Sequence, residues 1–380
     1  MEWKDIIFDD FCRLNRGFDL PNDNIVEGDV PVVASSSIKA FHNVAKVKGP
    51  GVVTGRSGTL GIVQYIEQDF WPLNTSLYVK DFKGNSPKFC FYFLQMMHLE
   101  NFNAGAGVPT LNQNHLHKLK IKVPATYDGQ EKVASVLSNY DTLIDINTKR
   151  IKILEESARE LYKEWFVRMR FPGYEQTKFV KGIPEGWKYM RIDENYKTGS
   201  GGTPSSSHNE YYNEGTINWI RTGELKDGFI FKSEIQITDK GLNNSSAKMY
   251  PPYSVIIAMY GNSIGQLGIL SNPSSTNQAC CVIQPKTIEY SWEFIYLSLI
   301  EYRQYLISFG FGAAQQNISQ DEIKKFKIVF PKKEIAQSFT YMVHPLFKEI
   351  ETLQLQNQTL ASTRDRLLPR LLSGELKVKA

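Results

Sequence analysis

The stretch PTLNQNHLHKLKIKVP at 109–124 lies over QNISQDEIKKFKIVFP at 316–331 without a gap, at an offset of 207. The apolar positions, Gln113 with Gln320, and the closing Pro124 with Pro331 all fall in step. A repeat of this kind has to be found before any element is assigned, because it halves the number of folds to be explained. Working outward, WPLNTSLYV at 71–79 faces STNQACCVI at 275–283, and GRSGTLGIV at 55–63 matches GNSIGQLGIL at 261–270 with one extra residue. GDVPVVASSSIK at 28–39 matches GTINWIRTGELK at 215–226, and Trp3 pairs with Trp187 of PEGWKYMRI. Aromatic-rich helical stretches, KFCFYFLQMM and EFIYLSLIEY, follow in the same order. One unit is used twice.

After each closing proline the periodicity turns helical. Val133, Leu137, Tyr140, Ile144, Asn147, Ile151, Leu154, Ala158, Leu161 and Trp165 recur at spacings of four and three, a heptad seam. The second arm gives Ile335, Phe339, Met342, Leu346, Ile350, Leu353, Asn357, Leu360, Arg364, Leu367 and Leu371, with an irregular step near Pro345. The two helices are expected to pair. Asn147 and Asn357 interrupt the seam, either to fix register at a cost in stability or because the seam is solvated there. An arm from about Gln130 to Arg168 would be ~60 Å long at ~1.5 Å per residue, and two similar units on such a spacer suit two DNA half-sites ~34–36 Å apart.

The expected fold is therefore α+β: two repeated mixed α/β recognition domains separated by two long antiparallel coiled-coil helices, with pseudo-twofold symmetry. The expected boundaries are 1–124 for the first recognition domain, 125–171 for the central helical spacer, 172–331 for the second recognition domain and 332–380 for the C-terminal spacer. A chain of 380 residues, 42% hydrophobic and 22% charged, suits several folded domains and contains no membrane span. The opening MEWKDIIFDDF has acids where an export signal needs basic residues, so a cytoplasmic location is expected. Cys12, Cys90, Cys280 and Cys281 form no CxxC pair and read as reduced, buried thiols; His115 and His117 read as neighbours on one face, and no metal site is expected.

The net charge of +4 is small for a nucleic-acid binder. Residues 1–124 carry 13 basic and 12 acidic side chains, and residues 173–331 carry 15 of each. Any DNA affinity must come from local patches or partner proteins.

The whole chain resembles the specificity subunit of Type I restriction-modification systems. The resemblance rests on GIPEGWKYMRI at 182–192, GSGGTPSSS at 199–207, EYYNEGTINWIRTGELKDG at 210–228 and GFGAAQQNISQDEIKKFKIVFP at 311–331. The first half departs from the pattern, since GFDLPNDN lacks the glycine-rich GGTP turn. The resemblance implies one target recognition domain per half of a bipartite, asymmetric double-stranded DNA target, with the helices setting the gap. It also implies two methyltransferase (modification) subunits that use S-adenosylmethionine, and restriction/translocase subunits that use ATP and Mg. No cofactor and no catalysis are implied for this chain.

The short motifs that imitate catalytic sites each fail on a decisive residue or on specificity. YPPY at 250–253 has Tyr250 where an adenine methyltransferase needs an amide or carboxylate, and no phosphate-binding glycine loop follows a strand. Glu224-Leu225-Lys226 and Glu375-Leu376-Lys377 imitate a nuclease pair, but such tripeptides are common. The alternatives from other classes are a self-sufficient modification or cleavage enzyme and a protein-interaction scaffold.

Base edges are read by Arg, Lys, Asn and Gln, and phosphates are held by hydroxyls and amides. In the first domain these groups are Arg56, Ser57, Thr59, Asn74, Thr75, Thr110, Asn112 and Gln113. In the second they are Arg221, Thr222, Asn262, Ser263, Asn277, Gln278, Gln315, Gln316, Asn317 and Ser319. Each is also an ordinary turn residue. The set carries more weight than its members, because the frame repeats while the tips differ, with Arg56 set against Asn262. Trp71, Trp219, Tyr260 and Phe311 are read first as core aromatics.

Overall fold

The structure, a computed structural model, describes residues 1–309 and 317–378. The chain divides into two compact units, 1–145 with 358–380 and 146–357.

In the first unit, strand Trp3–Ile7 pairs antiparallel with Lys120–Pro124, Trp3 opposite Pro124. A four-stranded antiparallel sheet runs in the order Arg13–Arg16, Ser76–Asp81, Gly51–Gly55, Val63–Ile66. A second sheet orders Ile38–His42, Val30–Val33 and Trp71–Pro72, the last pairing being parallel. Helix Pro87–Met96 starts where the Ser86 hydroxyl accepts from the Phe89 amide and Pro87 occupies the first turn. It buries Phe89, Cys90, Tyr92, Phe93 and Leu94 against Phe8, Phe11 and Leu14.

The second unit repeats this plan. Lys188–Arg191 pairs with Lys327–Phe330, Lys188 opposite Phe330, the step beside Trp187 and Pro331. The larger sheet orders Tyr196–Ser200, Cys280–Pro285, Val255–Ala258, Leu267–Leu270 and an added parallel strand, Phe229–Ile230. The smaller orders Gln236–Ile237, Ile217–Ile220, Ser274–Thr276 and Met249–Tyr250. Helix Trp292–Glu301, capped by Ser291, is buried from Trp292 through Leu299, as expected of a helix apolar all round.

The ladders test the repeat residue by residue. Val32 faces Trp71 in the first unit and Trp219 faces Ser275 in the second, as the sequence matches require. The glycine-flanked match of 55–63 with 261–270 is corrected. Gly55 faces Ser76, whereas Ala258 faces Cys280, and Thr54 faces Val63 where Ile257 faces Leu267. Gly55 therefore corresponds to Ala258, three residues before Gly261. The two glycines are there for different reasons: a Cβ on Gly55 would lie 1.8 Å from the Thr59 carbonyl oxygen, while Gly261 turns the chain at φ +74.

Two long helices, Tyr127–Tyr162 and Lys333–Leu372, are each divided between the units, the first after Asp145 and the second after Asn357. In the first unit Val133, Leu137 and Leu371 are buried together, and Tyr140, Ile144, Leu360 and Leu367 are half-buried. In the second, Ala158, Tyr162, Phe339, Val343, Phe347 and Ile350 share the core with Ile151, Leu154, Leu161 and Leu346 packed on it, and Leu353 is buried as well. The Asn147 amide donates to the Asn357 side-chain oxygen at 3.0 Å. The two asparagines thus face each other as a polar pair across the seam. Met342 is 52% exposed, so its place in the seam is a correction. Around Pro345 the buried stripe passes through Phe339, Val343 and Phe347, because the helix there turns aromatic side chains toward Tyr162, Trp165 and Trp292 of its own unit.

Candidate nucleic-acid interface

The first unit brings most of its predicted residues to one rim. The amides of Arg56 and Ser57 donate to the Thr75 carbonyl, the Arg56 carbonyl accepts from Leu111, and Ser57 bridges Thr110. Leu111 is 1% exposed and anchors the rim from below. A cleft of about 440 Å³ is lined by Arg16, Arg56, Thr110, Asn112, Gln113 and Asn114, among others. The Arg56 guanidinium donates one long hydrogen bond, 3.5 Å, to the Asn74 carbonyl. Thr59 is exposed on the hairpin, and the Asn74 amide is turned toward Asp19. The Asn112 side chain caps Gln113–His117 by accepting from the Asn114 amide, so one of its oxygen's roles is structural.

The second unit builds the same rim from different side chains. Met259 donates its amide to Ala279, its carbonyl accepts from Ile318, and Tyr260 bridges Asn317. Met259 and Tyr260 therefore take the backbone positions of Arg56 and Ser57, but Met259 is buried in the core of its unit and only Tyr260 reaches the surface. Tyr260 is 40% exposed, which corrects its reading as a core aromatic, whereas Trp71 and Trp219 are buried as read. Arg221 is ion-paired to Glu224 and, at 2.6 Å, to Glu234, and Thr222 opens the short turn after it. The Asn277 amide donates to Ile220, and the exposed Gln278 accepts from the Thr203 hydroxyl. Asn262 and Ser263 form the turn beyond Tyr260. Ser319 caps Gln320–Lys325 in a reciprocal box with Glu322, so its hydroxyl is committed to the helix. Gln315, Gln316 and Phe311 lie outside the described residues.

The imitations of catalytic motifs have local roles. Burial pushes the Tyr250 phenol up to about 12, and its hydroxyl donates to the Ser200 carbonyl at 2.9 Å. The Glu224 carboxylate accepts from the Arg221 and Glu234 amides, and Glu375 pairs with Arg370. His117 accepts from the Leu14 amide at 3.1 Å, and all four cysteines are buried and unbridged. Among the described residues no helix is long and apolar enough to cross a membrane.

Sequence reading missed Arg16, Asn114, Thr203, and Met259 as the counterpart of Arg56. A signal for Arg16 existed: the offset that sets Trp3 on Trp187 also sets Arg16 on Ser200, and the ladders agree, with Arg16 opposite Leu77 and Ser200 opposite Cys281.

Two versions of one α/β frame, each with a polar loop rim and a share of paired helices, define a repeated recognition protein. The family described as Type I restriction modification DNA specificity domain matches residues 1–156 and 184–360, and the chain belongs to it. The Type I restriction enzyme MjaIX specificity subunit of Methanocaldococcus jannaschii is 29% identical over 290 residues, 74% of this chain and 66% of that protein. The HindI specificity subunit of Haemophilus influenzae is 25% identical over 331 residues, 70% of this chain and 71% of that protein. The chain thus spans about two thirds of the length of these relatives. The solved Type-I S subunit from M. genitalium shares the fold, with a TM-score of 0.67 at 16% identity over 98% of this chain and 96% of that one.

Proposed function

We propose that this chain is the DNA-reading subunit of a Type I restriction-modification complex, taking one half of a bipartite, asymmetric target in each unit. The observation that carries this reading is the repeated backbone register with unlike rims: Arg56 and Ser57 reach the surface in one unit, and at the same positions of the other Met259 is buried and Tyr260 exposed. Two equal frames with equal tips would suit a palindrome; unequal tips suit two different half-sites. The paired arms set the gap between the halves. Two methyltransferase subunits dock on the chain and bring S-adenosylmethionine, and restriction subunits join through them with ATP and Mg. The chain contributes recognition and no catalytic group, and it works in the cytoplasm on double-stranded DNA.

The test is co-expression with the adjacent methyltransferase gene, followed by mapping of N6-methyladenine across the host DNA. A bipartite motif with a fixed gap, changed in one half only when residues 182–331 are exchanged for another domain, supports the reading. A continuous motif overturns the two-reader assignment. Absence of any motif returns the chain to a scaffold role, and methyl transfer or nicking by the purified chain alone makes it an enzyme.

A further inference from the structure

The two rims differ most in their guanidinium groups. In the first unit Arg16, at the end of its strand, and Arg56, just past the end of Gly51–Gly55 two strands away, line the same cleft as Thr110, Asn112 and Gln113. Arg16 is exposed, and among the described residues the Arg56 guanidinium makes one hydrogen bond, the long one to the Asn74 backbone carbonyl. In the second unit the same two ladder positions are Ser200 and Met259. Arg221, the arginine among the second unit's predicted residues, is committed to Glu224 and Glu234. An ion-paired guanidinium gives up a carboxylate before it can reach a base, whereas Arg56 gives up one weak hydrogen bond.

The pairing of a basic side chain, arginine above all, with O6 and N7 of guanine is the commonest specific contact to a base. We infer that the half-site read by the first unit contains a guanine held by Arg56 in this cleft, with Arg16 on the flanking phosphate or base, and that the second unit reads its half without an arginine–guanine pair. This rests on the reading of the chain as a DNA-specificity subunit. Asn112 and Gln113 on the same wall supply the amide groups that suit an adjacent adenine.

The experiment uses the full chain assembled with its methyltransferase subunits and duplexes carrying the mapped motif. Each guanine in turn is replaced by 7-deazaguanine, which lacks the N7 acceptor. For the wild-type complex, one replacement in the first unit's half-site is expected to weaken binding roughly 10- to 100-fold, while replacements in the second half are near neutral. In the Arg56→Ala complex that same replacement makes no further difference, and Arg56→Lys behaves as an intermediate. If Arg56→Ala complexes do not assemble, the wild-type deazaguanine scan and Arg56→Lys still decide. A first half-site without guanine, or a scan in which no first-half replacement matters, overturns the inference while leaving the two-reader function standing. So does uniform weakening by Arg56→Ala at every sequence with a smaller salt slope, which marks a phosphate anchor. Loss of any preferred sequence in the wild-type complex would instead sink the underlying function.

Discussion

The two units share ladders but distribute volume differently beneath their rims. In the second, Gly202 donates its amide to the Thr276 carbonyl, and its own carbonyl accepts from the buried Trp219 indole at 2.9 Å. In the first, Phe18 donates its amide to the Pro72 carbonyl, the equivalent backbone bond, and its ring lies against Trp71 and Tyr78. Gly202, Trp219 and Ser275 in one unit thus become Phe18, Val32 and Trp71 in the other. The large aromatic has moved from the central strand to its neighbour, and a phenyl ring fills what the glycine leaves open. This explains why the glycine-rich turn is missing from the first half although the fold is not. A protein interior constrains packed volume and backbone hydrogen bonds more tightly than residue identity.

The comparison is broken most severely by forcing one solution into the other unit. A Cβ on Gly202 would come 2.1 Å from the Ser246 hydroxyl and 2.4 Å from the Ser246 carbonyl carbon. Gly202→Phe is therefore expected to destabilise the second unit by about 3 kcal/mol or more. Limited proteolysis should cut within 196–285 while the first unit stays resistant; equal resistance of both would show that the turn tolerates a side chain.

The arms offer a second contrast. In the second unit's share the seam closes on Asn147 and Asn357; in the first unit's share it closes on Arg364, paired with Asp141, which also accepts from the Tyr92 hydroxyl. Asn147→Leu removes one side of a polar pair and should cost about 1–3 kcal/mol, whereas the double change to leucine should be near neutral or stabilising. Urea unfolding of the assembled chain measures both, and a double variant as weak as the single would mean that the pair contributes more than mutual satisfaction.

Trp219→Phe keeps most of the buried ring but leaves the Gly202 carbonyl without its indole donor. A loss of about 1–2 kcal/mol is expected. The corresponding change in the first unit, Val32→Ile, touches no such bond and should be milder, so equal losses would argue that packing alone decides.

The smallest effect separates the units by pH. Burial holds the His117 imidazole below its ordinary 6.5, against the opposing pull of Asp9. Only the neutral ring accepts the Leu14 amide, so this contribution to the first unit is full above pH 6.5 and is lost as the pH falls below it. The second unit has Lys324 at the matching position. About 1 kcal/mol of selective acid weakening is expected, visible as a lower protection factor at the Leu14 amide, its exchange rate taken relative to the intrinsic rate at the same pH, at pH 5 than at pH 7.5; no change, or equal change in both units, would remove His117 as the cause.

The fold was readable in the sequence because its largest signals are periodic or repeated. The heptad stripes, the offset of 207 and the closing prolines need no knowledge of what touches what. The rim was readable as a composition, with Arg56, Ser57, Thr110, Asn112 and Gln113 all drawn to one place. The reading failed where likeness of residues replaced likeness of position: Gly55 resembles Gly261 but occupies the place of Ala258, since one glycine yields space to a carbonyl and the other permits a left-handed turn.

By itself, then, the sequence determined that there are two recognition units of one design and two helical arms, because periodicity and repetition are properties of the chain. Only the tertiary structure decided that Asn147 meets Asn357, that Arg221 is committed to carboxylates while Arg56 is not, and that Arg16 joins the cleft. Those outcomes depend on which segments become neighbours, and contacts such as Asn147 with Asn357, 210 positions apart, leave no local trace.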